Sequence, residues 1–297
     1  METIVVPPVE APERREPARR RARGRSTAAA GPVTYVLLIL ATLVSVFPLY
    51  WTLVAGSHTN HDIAATPPPF LPSADLFHNF RLALEQAPIG KAIVNSVIVA
   101  GCITIGTVLC CTLAGFAFAK LRFRGNGVLL ALVVGTMMVP TQLGIIPLFI
   151  AMSELGWAGH LQAVIVPNLV TAFGVFWMTQ YLEQALPYEL VEAARVDGAS
   201  MLRTFWSIAL PAARPAATML ALFTFVASWT NYFWPFIVLG SKNPTLPIAL
   251  QQLQAAYFKD MSLIMAGVVL SVIPLLILFV IAGRQLVAGI MQGAVKG

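Results

Sequence analysis

The chain has 297 residues, of which 58% are hydrophobic and only 11% are charged, with a formal net charge of +6. A soluble domain carries about a quarter charged residues, so this composition excludes an ordinary soluble protein. Apolar stretches take up nearly the whole length and leave no room for a soluble catalytic domain. No P-loop, nucleophile elbow or HExxH motif occurs in the sequence, so we expect no enzyme activity from this chain.

The first thirty residues form a basic tail rich in proline, alanine and arginine. Seven arginines lie between Arg14 and Arg25, and large apolar side chains are scarce. Such a segment cannot bury enough apolar surface to fold alone, so we expect residues 1–30 to be a disordered cytosolic tail. Its charge suits contact with the anionic membrane surface.

Six apolar stretches are long enough to cross a bilayer as helices, which takes about 20 residues each. Together they predict an all-α membrane protein whose six-helix transmembrane domain covers residues 31–297. The predicted spans are 33–55, 93–118, 127–150, 161–182, 216–239 and 263–285.

Lysine and arginine are distributed unevenly between the two sides of these spans. With the N-terminus inside, fifteen fall in internal segments and four in external ones, namely Arg81, Lys91, Lys242 and Lys259. Positive residues favour the cytosolic side, so both termini are predicted to be cytosolic. The net positive charge is then explained by topology and anionic lipid, without nucleic acid.

Ionisable residues are placed only in loops, tails and the margins of the spans. Proton-coupled carriers need such groups near the bilayer midplane. Sodium coupling through backbone carbonyls stays open, but the driving force is expected to come from outside the chain.

Cysteine and histidine give no metal-binding pattern. Cys102, Cys110 and Cys111 lie within the second span and are expected to be small buried hydrophobes. His58 and His61 lie in a proline-rich external segment, so no metal site is predicted. That segment, 56–91, is either a docking surface for another protein or a simple connecting loop.

The longest cytosolic segment after the tail, residues 187–211, has the pattern of two short helices. Pro187 suits the first helical position, Gly198 a left-handed helix end, and Ser200 the N-cap of a second helix that stops at Pro211. An apolar stripe of Leu190, Val191 and Ala194 opposes charged residues. This pattern fits equally an amphipathic pair on the inner leaflet, with Trp206 at the interface, and a docking element for a partner.

Several short sequence motifs, found in a fixed order along the chain, decide between the membrane-surface and the docking interpretations. The sequence resembles permease subunits of binding-protein-dependent ABC importers, in the carbohydrate branch that includes the smaller subunit of the maltose permease. The match covers nearly everything after residue 33 and rests on the EAA loop Glu192-Ala-Ala…Asp197-Gly-Ala…Leu210-Pro211, and on Asn95-Ser96, Phe118-Ala-Lys-Leu-Arg-Phe-Arg-Gly125, Thr136-Met-Met-Val-Pro140, Ile146-Pro-Leu148, Val166-Pro167, Trp229-Thr-Asn231-Tyr-Phe-Trp-Pro235 and Gly289 to Gly297.

The resemblance implies a coupling helix near 188–199 that sits in a cleft of a cytosolic ATPase subunit. ATP and magnesium would be bound by two partner ATPase subunits, and this chain would bind no cofactor of its own. The other implied partners are a second homologous permease and an extracytoplasmic solute-binding protein, in a bacterial inner membrane. The implied coupling residues are Glu192, Ala193, Ala194, Asp197, Gly198, Leu210 and Pro211, and the implied tail contacts are Gly293, Ala294, Val295, Lys296 and Gly297.

The outer half of the fifth span holds candidates for the solute path, namely Trp229, Asn231, Tyr232 and Trp234. Aromatic faces and amide groups suit a neutral polyhydroxylated solute, whereas a charged solute would need an ionic partner. The competing interpretation places the aromatic residues in an interfacial belt and uses Asn231 to tie helices together.

Two other classes of function remain open from the residues alone. An autonomous sodium-coupled or facilitative carrier would work without an ATPase and would not need residues 187–211. A non-transporting membrane scaffold would show no solute flux. The specific solute is not determined by the sequence.

Overall fold

The computed structural model describes residues 31–255 and 260–294, with side chains as far as Ile281. Within these ranges the chain forms helices, turns and coil without any strand, so the all-α prediction is confirmed. The predicted disordered tail, residues 1–30, lies outside the described residues. The α-helices of the described ranges are α1 Pro32–Gly56, α2 Asn60–Ile63, α3 Leu76–Gln86, α4 Ile89–Lys120, α5 Asn126–Thr136, α6 Ile145–Glu154, α7 Gln162–Ile165, α8 Ala172–Ala185, α9 Tyr188–Val196, α10 Met201–Thr204, α11 Leu210–Trp229, α12 Phe233–Leu239, α13 Leu246–Gln254 and α14 Met261–Ala294.

Five helical stretches of the described ranges are long and apolar enough to cross a membrane. A further pair, α5 with the turn and helix that follow it, meets the same criterion only when taken together, and counting it gives up to six crossings. The five stretches are Pro32–Gly56, Ile89–Lys120, Gln162–Ala185, Met201–Trp229 and Met261–Ile281.

The third predicted span is not a straight helix. The structure breaks it at Pro140, and the chain turns by 90° between α5 and the following Thr141–Glu154 segment. Proline has no N–H to donate and clashes with the carbonyl one turn earlier, so a bend here is physically expected. The predicted range 127–150 was therefore wrong as a single unbroken helix.

The fifth predicted span, 216–239, had the wrong boundaries. The helical run starts at Met201, passes through Pro211 and ends at Trp229, and Phe233–Leu239 forms a separate helix. Pro211 does not stop the helix because it follows a π-helical turn, Phe205–Ala209, and lies in the first turn of α11, where a backbone N–H is not needed.

Residues up to Pro48 and residues from Leu49 onward form two compact units. The described part of the first unit is the apolar helical stretch 32–48 of α1. The second unit contains three apolar clusters. One joins α4, α8, α9 and α11 through Phe116, Met178, Leu182, Val191 and Leu220.

Close packing between α4 and α8 depends on Gly115. A Cβ atom built at Gly115 would lie 2.7 Å from Met178 Cβ and 2.8 Å from the backbone nitrogen of Thr179. Small residues at such positions let helix backbones approach closely, as in other membrane bundles. Residues of α4 and α8 pack in one apolar cluster with buried residues of the segment 187–211.

The cysteine prediction was correct for one residue of three. Cys111 is buried, whereas Cys102 and Cys110 are exposed on α4. A membrane helix of a bundle is apolar on every side, so composition does not show which face meets the protein interior.

The segment that follows α1, predicted to be external, contains the short helix α2 and the helix α3. Thr59 and Asp62 form a reciprocal capping box at α2, and hydrogen bonds from Thr59 lower the pKa of the Asp62 carboxyl. The Asn60 side chain accepts a 3.2 Å hydrogen bond from the backbone nitrogen of Ser262, and so ties α2 to the start of α14.

Candidate functional site

The segment 187–211, called the coupling segment below, begins with α9 directly after Pro187. Val191 is fully buried, and Ala194 is also buried, among core residues of α8 and α11. Leu190 was predicted to share this apolar stripe, but 49% of it is exposed. Helical phase alone does not explain the correction, because position 190 lies about 100° from position 191 but only about 40° from position 194; the tertiary packing of α9 leaves Leu190 at the edge of the buried face.

The turn between α9 and α10 has the predicted backbone. Gly198 has φ +76°, a left-handed conformation that costs other residues energy, and its N–H donates to the Arg195 carbonyl at 3.0 Å. The side chain of Ser200 then caps α10 by accepting a 3.3 Å hydrogen bond from the backbone nitrogen of Arg203. The two helices are thereby fixed relative to each other.

One face of the coupling segment is left open. Glu192, Ala193, Asp197 and Gly198 are exposed, whereas Leu210 and Pro211 are half-buried. Large apolar side chains share the exposed surface, namely Leu190, Val196, Leu202 and Trp206. A mixed apolar and charged surface on a fixed helix pair is typical of a protein-binding site.

The second half of the segment is joined to the core by aromatic contacts. The buried Phe205 ring lies 6.1 Å from the ring of Phe116 on α4 and 5.2 Å from that of Trp206. The structure thus brings Val191 and Phe205 together in one buried cluster, and Ala194 is buried as well.

A cavity of about 260 Å³ lies between α4, the start of α8 and α11. Its lining combines neutral polar groups with apolar side chains and contains no ionisable residue. The polar members are Asn168, Thr171, Thr224, Ser228 and Asn231, and the apolar members are Ile103, Phe173, Leu220, Phe223 and Ala227.

Two polar groups of this cavity are without a partner among the described residues. The buried hydroxyl of Ser228 makes no hydrogen bond, and no side-chain hydrogen bond is formed by Asn231. Thr171, in contrast, caps α8 by accepting from the Gly174 nitrogen at 3.1 Å. Asn231 is therefore available to a bound polar solute, whereas the Ser228 hydroxyl is enclosed by protein atoms.

The four solute-path candidates separate in the structure. Asn231 lines the cavity, while Trp229 is 2% exposed and donates from Nε1 to the Ser271 carbonyl at 3.1 Å. Trp234 is also buried and donates to the Ala163 carbonyl at 3.1 Å, so it is not part of an interfacial belt. Tyr232 is half-buried and stacks on Phe236, with ring centroids 5.1 Å apart.

Sequence reasoning missed most of the cavity lining. Asn168 and Thr171 sit where the fourth predicted span is interrupted, after the Val166–Asn168 turn that contains Pro167. The Val166-Pro167 pair was the available signal, since a proline within an apolar span marks a place where backbone and polar groups face a cavity.

The predicted tail contacts fall at the edge of the described residues. Gly293 and Ala294 belong to the last turns of α14, and Val295, Lys296 and Gly297 lie outside the described residues. In the ranges that the structure describes, no group of three metal-ligating side chains is brought together.

A family model described as "Binding-protein-dependent transport system inner membrane component" matches residues 111–291, which include the coupling segment and most of the cavity. This match covers more than half of the chain. The chain belongs to this family. It is therefore a multi-pass protein of the bacterial inner membrane, and the resemblance found from the EAA loop is confirmed.

Relatives of this permease support the carbohydrate branch. It is 32% identical over 265 residues to the lactose transport system permease protein LacG of Rhizobium radiobacter, covering 89% of this chain and 96% of LacG. It is also 32% identical over 258 residues to the arabinooligosaccharides transport system permease protein AraQ of Halalkalibacterium halodurans, and this match covers 86% of this chain and 92% of AraQ. A third relative is the sn-glycerol-3-phosphate transport system permease protein UgpE of Brucella abortus. It is 28% identical over 270 residues, and the match covers 88% of this chain and 95% of UgpE.

The fold also matches a solved transporter. A chain from the crystal structure of a bacterial ABC transporter involved in the import of the acidic polysaccharide alginate superposes on the permease with a TM-score of 0.73. The match covers 85% of this chain and 94% of that chain, at 23% sequence identity. At this identity the likeness concerns the fold alone.

Proposed function

We propose that this permease is a transmembrane subunit of an ATP-driven, binding-protein-dependent importer of sugars or related neutral polyhydroxylated solutes. The observation that carries the proposal is a single helical run. Met201–Trp229 starts in the coupling segment and continues into α11, which supplies the cavity residues Leu220, Phe223, Thr224, Ala227 and Ser228. Its 29 residues span about 40 Å.

This helix gives a direct mechanical route from the docking surface to the solute. A partner that moves the coupling segment moves the base of α11, because Phe205 and Ala209 are buried in the same cluster as Phe116 and Val191. The displaced helix then changes the cavity that its upper half lines. Hydrolysis of ATP by the partner drives alternating access in this scheme, and the permease itself catalyses no reaction.

The partner on the coupling segment is proposed to be a cytosolic ATPase subunit. Glu192 is exposed beside Ala193 and is free to pair with a basic group, while Leu190 and Val196 supply apolar contact area. The remaining subunits are a second homologous permease, a second ATPase and an extracytoplasmic solute-binding protein. ATP and magnesium belong to the ATPase subunits.

The topology of the proposal has six crossings with both termini in the cytosol. The bent α5–α6 pair supplies the third crossing. The external segment, including the exposed apolar residues Phe70, Leu71 and Phe77, then faces the solute-binding protein.

A neutral solute is supported by the lining of the cavity. Asn168, Thr224 and Asn231 provide amide and hydroxyl groups, and Phe173 and Phe223 provide ring surface, whereas no charged group is present in the lining for an ionic solute. The names of the lactose and arabinooligosaccharide relatives agree with this chemistry. Of the four solute-path candidates, Asn231 is supported by the cavity, and Trp229, Tyr232 and Trp234 stay predictions.

The experiment is affinity purification of the tagged chain from its native membrane, followed by identification of the subunits and an ATPase assay. Wild type should recover a Walker-motif ATPase and a second permease, and Glu192→Lys should lose the ATPase. The matched control is Glu154→Lys, the same charge reversal at an exposed residue on the proposed external side. Recovery of the chain alone, still transporting and unchanged by Glu192→Lys, would instead establish an autonomous carrier.

A further inference from the structure

A basic pocket lies at the end of α4, outside the solute cavity and the exposed face of the coupling segment. It has a volume of about 630 Å³ and is formed by residues 118–124 with Asn126 and Tyr188. Three of these residues are cations, Lys120, Arg122 and Arg124. None of the three forms an ion pair with an acidic side chain in the described ranges.

Lys120 is an unusual member of this group because it is only 6% exposed. Its Nζ donates to the backbone carbonyl of Glu183 at 3.1 Å, and no further partner is found among the described residues. An ammonium group has three donors, and a buried charge is costly unless it is paired. The pocket therefore contains a buried positive charge that lacks an anion.

Arg122 and Arg124 line the same pocket. The guanidinium of Arg122 lies over the Tyr188 ring, 5.0 Å from its centroid, and Arg124 is exposed. The N-terminus of the eleven-residue α5 opens here too, and its N-cap, Gly125, provides no side-chain acceptor. The positive end of the helix dipole favours an anion in the same way as the cations do, while the Asn126 N–H itself donates to the Phe123 carbonyl at 3.4 Å.

We propose that this pocket binds the phosphate headgroup of an anionic phospholipid from the cytosolic leaflet. The inference rests on the topology of the proposed function, which places residues 121–125 at the inner membrane surface. The cations suit the singly charged phosphodiester of such a lipid. Phe118 and Phe123, with ring centroids 6.0 Å apart, line the part of the pocket that would meet the glycerol and acyl region.

The position of the pocket gives the lipid a structural role. Lys120 contacts the end of α8 through Glu183, and Tyr188 is the first residue of α9. A headgroup bound to Lys120 and Arg122 would connect α4, α8 and the start of the coupling segment. Anionic lipid should therefore stabilise the base on which the ATPase docks.

The test measures retention of phosphatidylglycerol by the full chain, purified from its native membrane with its accompanying subunits, by native mass spectrometry. Arg122→Gln should lower retention about fivefold, and Arg122→Gln with Arg124→Gln about twenty-fivefold, from the typical contribution of one basic residue near a membrane. Both arginines are exposed, so the variants should keep the fold. Arg214→Gln, an exposed arginine outside the pocket, is the matched control and should retain the lipid.

Three results would overturn the proposal. Equal losses for Arg214→Gln would show a general surface charge effect. Displacement of phosphatidylglycerol by millimolar inorganic phosphate would indicate a soluble anion site. Unchanged lipid retention in the double variant, with loss of the ATPase subunit, would make the pocket a protein-binding surface. Lipid retention is read without transport or ATP hydrolysis, so its failure leaves the importer proposal intact and is distinguished from loss of the ATPase subunit.

Discussion

The indole Nε1 of Trp177 donates a 3.2 Å hydrogen bond to the backbone carbonyl of Ala216. This bond joins α8 to α11 between the coupling segment and the solute cavity. Ala216 follows Pro215, which has no N–H, so the carbonyl of Pro211 one turn earlier lacks its usual helical donor. We infer that Trp177 makes α8 move together with α11.

Trp177→Phe keeps the ring surface and removes this bond. The expected cost is about 1 kcal/mol of stability, with a further loss in the coupling of ATP hydrolysis to transport. The measurement is the thermal unfolding midpoint together with solute transported per ATP in the reconstituted complex. Trp157→Phe serves as the control, since it is a half-buried tryptophan in another apolar cluster. Equal effects of both variants would contradict a specific role for the α8–α11 bond.

Gly198→Ala tests the left-handed turn of the coupling segment. A Cβ at Gly198 meets no atom within 4 Å, so the substitution acts only through φ +76° and should cost about 1–2 kcal/mol. We expect weaker retention of the ATPase subunit while the transmembrane helices stay intact by circular dichroism. Gly135→Ala in α5 is the control, because it too has open space and has no positive φ. Normal ATPase binding by Gly198→Ala would show that the turn is not needed for docking.

Gly115→Val tests the close approach of α4 and α8. Its side chain would need to occupy space 2.7–2.8 Å from Met178 and Thr179, mostly against backbone and Cβ atoms that cannot rotate away. We predict poor expression and a lower unfolding midpoint. Gly101→Val on the same helix has open space and should be tolerated. Comparable stability of the two variants would contradict the described packing.

Ser228→Ala and Asn231→Ala test the solute cavity. Neither side chain makes a hydrogen bond within the described residues, so the stability of the protein should change by less than about 0.5 kcal/mol. Transport should fall about threefold to tenfold for Asn231→Ala, because a polar partner of the solute is lost, and should stay near the wild-type level for Ser228→Ala, whose hydroxyl is enclosed by protein atoms. The readout is the solute concentration for half-maximal uptake in proteoliposomes with the binding protein. Unchanged uptake by Asn231→Ala would place the solute path elsewhere.

Local rules were sufficient to predict the coupling segment. The left-handed Gly198 and the Ser200 cap depend on backbone preferences within a few residues, and the structure contains both. Leu190 shows the limit of this reasoning. It is as apolar as Val191, but only the tertiary contacts of α9 decide which of the two is buried.

Hydropathy could not predict the path of the helices. Pro140 breaks the third span, whereas Pro211 lies inside a continuous helix, although both follow apolar stretches. Burial of Phe205 and Ala209 fixes the helix beside Pro211, while residues around Pro140 are exposed. The helix end after Trp229 shifts the phase of the following residues. For this reason Asn231 faces the cavity and Trp229 packs against α14, a division that the sequence pattern did not show.

We propose that the exposed face of the coupling segment binds an ATPase. The most direct measurement is cross-linking from Val196→Cys, an 88% exposed position, in a background without Cys102, Cys110 and Cys111. A short photo-activated maleimide reagent should cross-link this residue to a Walker-motif subunit in native membranes, with a yield that changes when ATP is added. Leu71→Cys, exposed on the proposed external side, should give no such product. If Val196→Cys is labelled from the cytosol but forms no cross-link to an ATPase while solute uptake continues, binding of an ATPase to this face is contradicted.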